Sequence, residues 1–173
     1  DPDAALYWLT CMLEGGCDPL YIARRLIRVA SEDIGNADPR SLQLTLNAFE
    51  VQKCVGSPEG ELALAQAVIY LSCAPKSNAV YLAAKKAMKD VHQNGSLEVP
   101  IHLRNATTKL MKEQGYGKDY RYSHDEKDGY SLGQKYFPDD MEPVKYYYPL
   151  PRGLEIRILE KLENIKHRKT NNK

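Results

Sequence analysis

The chain has 173 residues, 24 basic and 23 acidic side chains and a formal net charge of +1, with 43% hydrophobic and 27% charged residues. Such a chain can bury roughly 70% of the surface that its unfolded form exposes. The balance excludes a strongly basic nucleic-acid tail as the main device, and no run of about 18 apolar residues is present to cross a membrane. The opening Asp1-Pro2-Asp3 carries no basic-then-apolar leader, so the expectation is a cytoplasmic piece of a longer protein without a signal peptide.

One start signal recurs. Asp1-Pro2, Asp18-Pro19, Asp38-Pro39 and Ser57-Pro58 each read as an N-cap followed by proline at the first helical position. There the cap oxygen accepts a free backbone N–H, and the missing proline N–H costs nothing. Glycines at 15–16, 35, 56 and 95 read as stops. The helices so delimited are 2–14, 19–34, 39–55, 58–73 and 77–94, a bundle of antiparallel neighbours joined by short turns. Val80, Ala84, Ala87, Met88 and Val91 form an apolar stripe on the fifth, and Ile22, Leu26 and Val29 line up on the second. The fourth is apolar all round: from Leu62 to Ala74 only Gln66 and Ser72 interrupt it, which places it at the centre of the bundle or between subunits.

After Gly95 the texture changes. Residues 96–104 read as an extended connector, 107–114 as a short helix, and 112–152 as an irregular strap holding eight of the 12 tyrosines. The rings are expected to pin this strap to the bundle, with Tyr146-Tyr147-Tyr148 as a short strand. A last helix is predicted over 153–166, with Leu154, Ile158, Leu162 and Ile165 on one face, followed by a basic fraying end. The fold class is all-α: a five-helix bundle over 1–94, with the connector, strap and terminal helix of 95–173 packed on it.

Catalytic patterns are lacking. Asp125-Glu126, Asp128 and Asp139-Asp140 are acidic clusters in a polar strap and read as solvated charge. His92, His102, His124 and His167 have no metal-binding spacing, and Cys11, Cys17, Cys54 and Cys73 form no C-x-x-C pair, so no metal site is expected. Gly115-Tyr116-Gly117 imitates half of a glycine-rich phosphate loop, but Tyr120 stands where the third glycine belongs and a simple turn is the better reading. Two basic features remain. Arg24, Arg25 and Arg28 share one side of the second helix, and read as dipole-complementing or subunit-contact residues. Arg104, Lys109, Lys112, Lys118 and Arg121 are interleaved with Tyr116, Tyr120 and Tyr122, a pattern that suits single-stranded nucleic acid.

The literal strings go further than composition. They include Asp1 to Trp8, Gly16 to Arg25, Ala30 to Gly35, Ala37 to Arg40 and Ala74 to Tyr81. His102 to Ala106, Lys109 to Lys112, Gly115 to Gly117, Tyr120 to Tyr122 and Arg152 to Glu155 follow. Over nearly its whole length the chain resembles the C-terminal part of the bacterial replication-associated recombination protein A family. These are AAA+ ATPases related to clamp loaders and to the Werner-helicase-interacting protein. Cys17 and Thr107 depart from the expected pattern, in which a polar residue and a proline stand.

The resemblance implies a collar-like helical module through which subunits form a homotetramer. The family's phosphate loop, magnesium-binding acids and sensor residues match no position here, so no catalytic residue and no cofactor are expected in this chain. ATP and magnesium belong to the parent protein, implied to be a DNA-stimulated ATPase acting at stalled forks with single-strand-binding protein as a partner. The expected function is thus an oligomerisation module. Arg24, Arg25, Arg28, Leu64, Val68 and Leu71 are its expected subunit contacts, and DNA binding through 104–122 is the alternative.

Overall fold

A computed structural model describes residues 1–126 and 129–171; Asp128 of the acidic cluster and the terminal Asn172 and Lys173 lie outside the described residues. Among the described residues there are seven α-helices: α1 (Pro2–Glu14), α2 (Pro19–Val29), α3 (Arg40–Val55), α4 (Glu61–Cys73), α5 (Ala79–Asn94), α6 (Lys109–Glu113) and α7 (Glu155–Asn171). Contacts divide the chain into two units. The first holds Asp1–Lys86 with Tyr146–Glu160, and the second holds Ala87–Lys145 with the chain from Lys161 onward. The division does not fall between two consecutive halves, because the segment beginning at Tyr146 returns to the first unit.

Within the first unit the caps act as their chemistry requires. The Asp1 carboxylate accepts from the amides of Asp3 and Ala4, and that of Asp18 accepts from Leu20 and Tyr21. Asp38 Oδ1 accepts from the Arg40 amide, although Pro39 is the last residue before α3. Two boundaries differ from expectation. Residues 30–34 widen into a π turn that ends α2 early. Ser57-Pro58 does not start α4: the bond is cis, residues 57–60 form a turn, and the helix begins at Glu61.

Helix α4 is the centre, packed against α1, α2 and α3. Leu9, Ile22, Ala23, Ala48, Leu64, Ala67 and Val68 make one buried cluster, and Ala30, Ile34, Leu71 and Ala74 a second. At the C-terminal end of α4 the Lys76 ammonium donates to the carbonyls of Leu71 (2.6 Å) and Ala74 (2.7 Å). These are orphan acceptors of a helix end, where positive charge also complements the dipole.

Glu155 closes this unit. It is 0% exposed, and its carboxylate accepts from the Ser77 hydroxyl (2.6 Å), the Tyr147 hydroxyl (2.7 Å) and the Leu150 amide (2.9 Å). An unpaired carboxylate is tolerated inside a protein only when donors replace its water. Neighbouring bonds reinforce the clasp: the Leu154 amide donates to Ala37 O, the Ser77 amide to Asp33 O, and Arg152 Nη1 to Lys76 O. Gly153 permits the approach. It has φ 53°, and a Cβ there would stand 2.1 Å from the Ala37 carbonyl oxygen.

Four of the strings that carry the family resemblance, around 30–35, 37–40, 74–81 and 152–155, therefore meet at this clasp. Tyr147 pins its segment by donating to a side chain and not to water or backbone. Its hydroxyl also accepts from Asn36 Nδ2 at 3.3 Å. Tyr146 and its neighbours form no strand, and among the described residues there is no strand at all.

In the second unit α6 is capped by Thr108, whose hydroxyl accepts from the Met111 amide. This unit also takes in the C-terminal parts of α5 and α7; its remaining described residues are turns, short 3-10 segments and irregular chain. Tyr120, Tyr122, Tyr130 and Tyr136 are exposed, so the expectation that rings pin this strap does not hold for them.

Candidate subunit and nucleic-acid interfaces

The expected subunit contacts separate into two groups. Leu64, Val68 and Leu71 are buried in the chain's own core and have no surface to offer another copy. They face inward because α4 has two apolar sides. At about 100° per residue, Leu64, Ala67, Val68 and Leu71 lie on one side. Leu62, Gln66, Ile69 and Cys73 lie on the opposite, exposed one, with Leu62 77% exposed.

Arg24, Arg25 and Arg28 are exposed, as expected. Arg24 reaches the cap carboxylate of Asp18 at 3.4 Å, an acid the sequence reading had not paired with it. Arg28 pairs with Glu32 at 2.7 Å, which holds its guanidinium still more firmly charged.

More apolar surface lies open on α1 and α5. On α1, Leu9 points into the core, while Tyr7, Trp8, Cys11 and Met12 cover the outer side and Trp8 is 65% exposed. The apolar stripe expected on α5 is present but mostly open. Val80, Ala84, Met88 and Val91 are exposed, Met88 at 58% and Val91 at 62%, and Ala79 is the residue of that helix buried in the core. The periodicity reported an apolar side correctly; among the described residues Ala87 of that stripe is half-buried, and Val80, Ala84, Met88 and Val91 stay exposed. A scattered exposed leucine is ordinary; here exposed apolar residues are grouped on one side of each of three helices.

The basic, tyrosine-bearing segment separates in the same way. Arg104 is spent internally: its side chain donates to Val99 O (2.6 Å) and Glu98 (2.6 Å) and stacks over the Tyr116 ring at 5.5 Å. The Glu98 bond, first among the causes, raises its already high pKa. Arg121 is spent likewise, on Glu126 (2.7 Å) and Leu132 O (2.6 Å), while its amide donates to Gln134. Both arginines brace turns. Lys109 makes a loose pair with Glu113 at 4.0 Å. Among the described residues no carboxylate pairs with Lys112 or Lys118, and the rings of Tyr120 and Tyr122 are exposed, Tyr122 lying 5.0 Å from His124.

The turn at 115–120 does not form the backbone cradle of a glycine-rich ATP-binding loop, which holds phosphates through free amides. Those of Gly115, Tyr116, Gly117, Lys118 and Tyr120 already donate to carbonyls of Lys112, Met111, Ile101, Gly115 and Gly117. Among the described residues no group of three histidines, cysteines or carboxylates is placed to hold a metal ion. The described residues thus show neither a backbone phosphate cradle at this turn nor a cluster of metal ligands. No described helix is long and apolar enough to cross a membrane.

Residues 1–166 match the family model described as MgsA AAA+ ATPase C terminal. The chain is similar to the replication-associated recombination protein A of Coxiella burnetii, 62% identical over 163 residues, 94% of this chain and 37% of that protein. It is 55% identical over 161 residues to the protein of the same name in Escherichia coli K12, 93% of this chain and 36% of that one. To ATPase WRNIP1 of Dictyostelium discoideum it is 44% identical over 149 residues, 85% of this chain and 17% of that protein. The chain spans little more than a third of the bacterial relatives. Its class is the all-helical module at the C-terminal side of AAA+ ATPases. The chain belongs to the MgsA AAA+ ATPase C-terminal family.

Proposed function

We propose that this chain is the self-assembly module of a longer AAA+ ATPase that works in replication-associated recombination at stalled forks, in the cytoplasm. In that reading ATP and magnesium are handled elsewhere in the parent protein, and this chain performs no chemistry. The observation that carries the reading is the apolar surface left open on α1, α4 and α5 after the core is filled. Neighbouring subunits of such ATPases complete one another's nucleotide sites. A module that holds copies together raises the effective concentration of those pairs without new contacts at the catalytic centre. An obligate interface of this kind buries about 2,000 Å² or more.

The proposed assembly is a homotetramer. Light scattering on the isolated chain at micromolar concentration tests it. A tetramer mass is expected, and a clean monomer overturns the reading.

A second reading is supported by the exposed Tyr120 and Tyr122 and by Lys112 and Lys118, with which no carboxylate pairs among the described residues: contact with single-stranded DNA by the 104–122 segment. DNA and a single-strand-binding protein are then partners of the parent at this surface. Binding of labelled single strands that weakens as salt is raised is the expected result, and none at low salt removes the reading.

A further inference from the structure

The second unit contains an open cleft of about 510 Å³, within the range of about 300–1,000 Å³ that holds small ligands. Three stretches wall it: Ile101-His102, the 115–121 turn, and Leu132–Lys135 with Asp139. We propose that this cleft seats a nucleotide of a single strand, with Lys118 and Lys135 meeting backbone phosphates and the Tyr120 ring stacking on a base. The proposal rests on the second reading above and names the site within it.

The argument is one of which groups are already spent. Arg121 lines the cleft, but its guanidinium is held by Glu126 and Leu132 O. His102 also lines it, and its Nε2 is paired with the Lys135 carbonyl oxygen at 2.9 Å. These bonds tie the three stretches together and fix the walls. Lys118 and Lys135 are left, since among the described residues no carboxylate pairs with either. Tyr120 stands between two lining residues, Asp119 and Arg121, with its ring half in solvent. The Gln134 side chain, also at the wall, accepts from the Arg121 amide and has a buried amide nitrogen with no partner among the described residues.

The charged lining residues are Lys118, Asp119 and Arg121 on one wall and Lys135 and Asp139 on the other, so each wall brings one lysine to the cleft. A ligand with an anionic edge for the two lysines and a neutral, flat edge for the Tyr120 ring suits this arrangement, as a nucleotide does. A duplex hides that flat edge, and an acidic peptide has nothing for the ring to stack on.

The test is a fluorescence anisotropy titration of labelled oligothymidylate with the whole chain over a range of salt. Three proteins are compared: the parent chain, Lys118→Gln/Lys135→Gln, and Tyr120→Ala. Lys85→Gln/Lys89→Gln on α5 is the control, and circular dichroism melts check that each folds. The double cleft variant is expected to flatten the slope of log K against log salt by about 1.4, two phosphates at about 0.7 each. Tyr120→Ala is expected to weaken binding about ten-fold, the loss of one stacked base. An unchanged slope in a folded double variant overturns the cleft assignment and leaves the second reading standing. No binding by the parent chain at low salt overturns both. Binding of an acidic peptide with the same lysine dependence, without binding of the oligonucleotide, assigns the cleft to a protein partner and overturns the proposal.

Discussion

The Ser77 hydroxyl donates to Glu155 Oε2 over 2.6 Å, joining residues 78 positions apart in sequence. With Tyr147 and the Leu150 amide it makes the inside of the first unit polar at one point. Removing the acceptor leaves buried donors that water cannot reach. Glu155→Ala is therefore expected to lower the unfolding free energy by about 3 kcal/mol or more. Glu155→Gln, which keeps the shape and one acceptor, should cost about 1–2 kcal/mol. Urea denaturation of the two variants measures both, and near-equal stability of Glu155→Ala and the parent chain counts against the clasp.

Gly153 holds the same clasp through absence of bulk. An added methyl group would meet the Ala37 carbonyl oxygen and also the Pro75 ring, at 2.8 Å, with φ in the left-handed region. The conformation alone costs a side-chain-bearing residue roughly 1–2 kcal/mol, before the collision. Gly153→Ala is expected to lower the melting temperature more than Gly16→Ala. Gly16 also has positive φ, but a Cβ there meets nothing within 4 Å. Thermal melts of the two variants compare them directly.

Two tyrosines make stability depend on alkaline pH. Burial, the largest cause, raises the Tyr147 pKa above the ordinary 10.0; the Asn36 bond, next in size, opposes it, and the Glu155 carboxylate adds to the rise. A 2.6 Å bond to Asp38, then burial, raises that of Tyr70. The folded chain holds both protons more tightly than the unfolded chain does. Their contribution is complete below pH about 10 and is lost as pH climbs through the raised folded values. Urea midpoints are expected to fall across that range, and to fall less steeply in Tyr70→Phe/Tyr147→Phe. Absorbance titration of the folded parent chain should show a late tyrosinate component that the double variant lacks.

The two sides of α4 give opposite phenotypes. Leu64→Ala empties the core and is expected to cost about 2–5 kcal/mol with little direct effect on association. Leu62→Glu, on the exposed side, should leave the melting curve nearly unchanged while lowering the mass seen by light scattering. Loss of mass from Leu64→Ala alone would place the interface elsewhere.

How much of this was legible depends on whether the information is local. Asp1 and Asp18 act on amides two and three residues away, so α1 and α2 start where their caps announce. Helix α4 reads as central because an apolar surface all round leaves few other places for it. The Ser57-Pro58 pair carries the same letters as a cap yet starts a turn, since nothing in the dipeptide says that helix follows directly. The α5 pattern named the apolar side but held no record of what would cover it. Glu155 was missed as a buried group because a carboxylate in a helix reads as surface until three donors, brought from three places, surround it. Arg104 and Arg121 were read as ligand contacts for a related reason. Their acids, Glu98 and Glu126, stand six and five residues away, a spacing that no regular helix brings together.

The position of Lys76 has a consequence for chemical labelling. Its side chain reaches the surface, but its ammonium protons are engaged by the carbonyls that end α4. A reagent that attacks free amines must first break those bonds, so Lys76 should acylate more slowly than Lys53 on α3. Its modification would then mark molecules whose α4 end has already opened, which makes that single amine an internal gauge of fraying in the core.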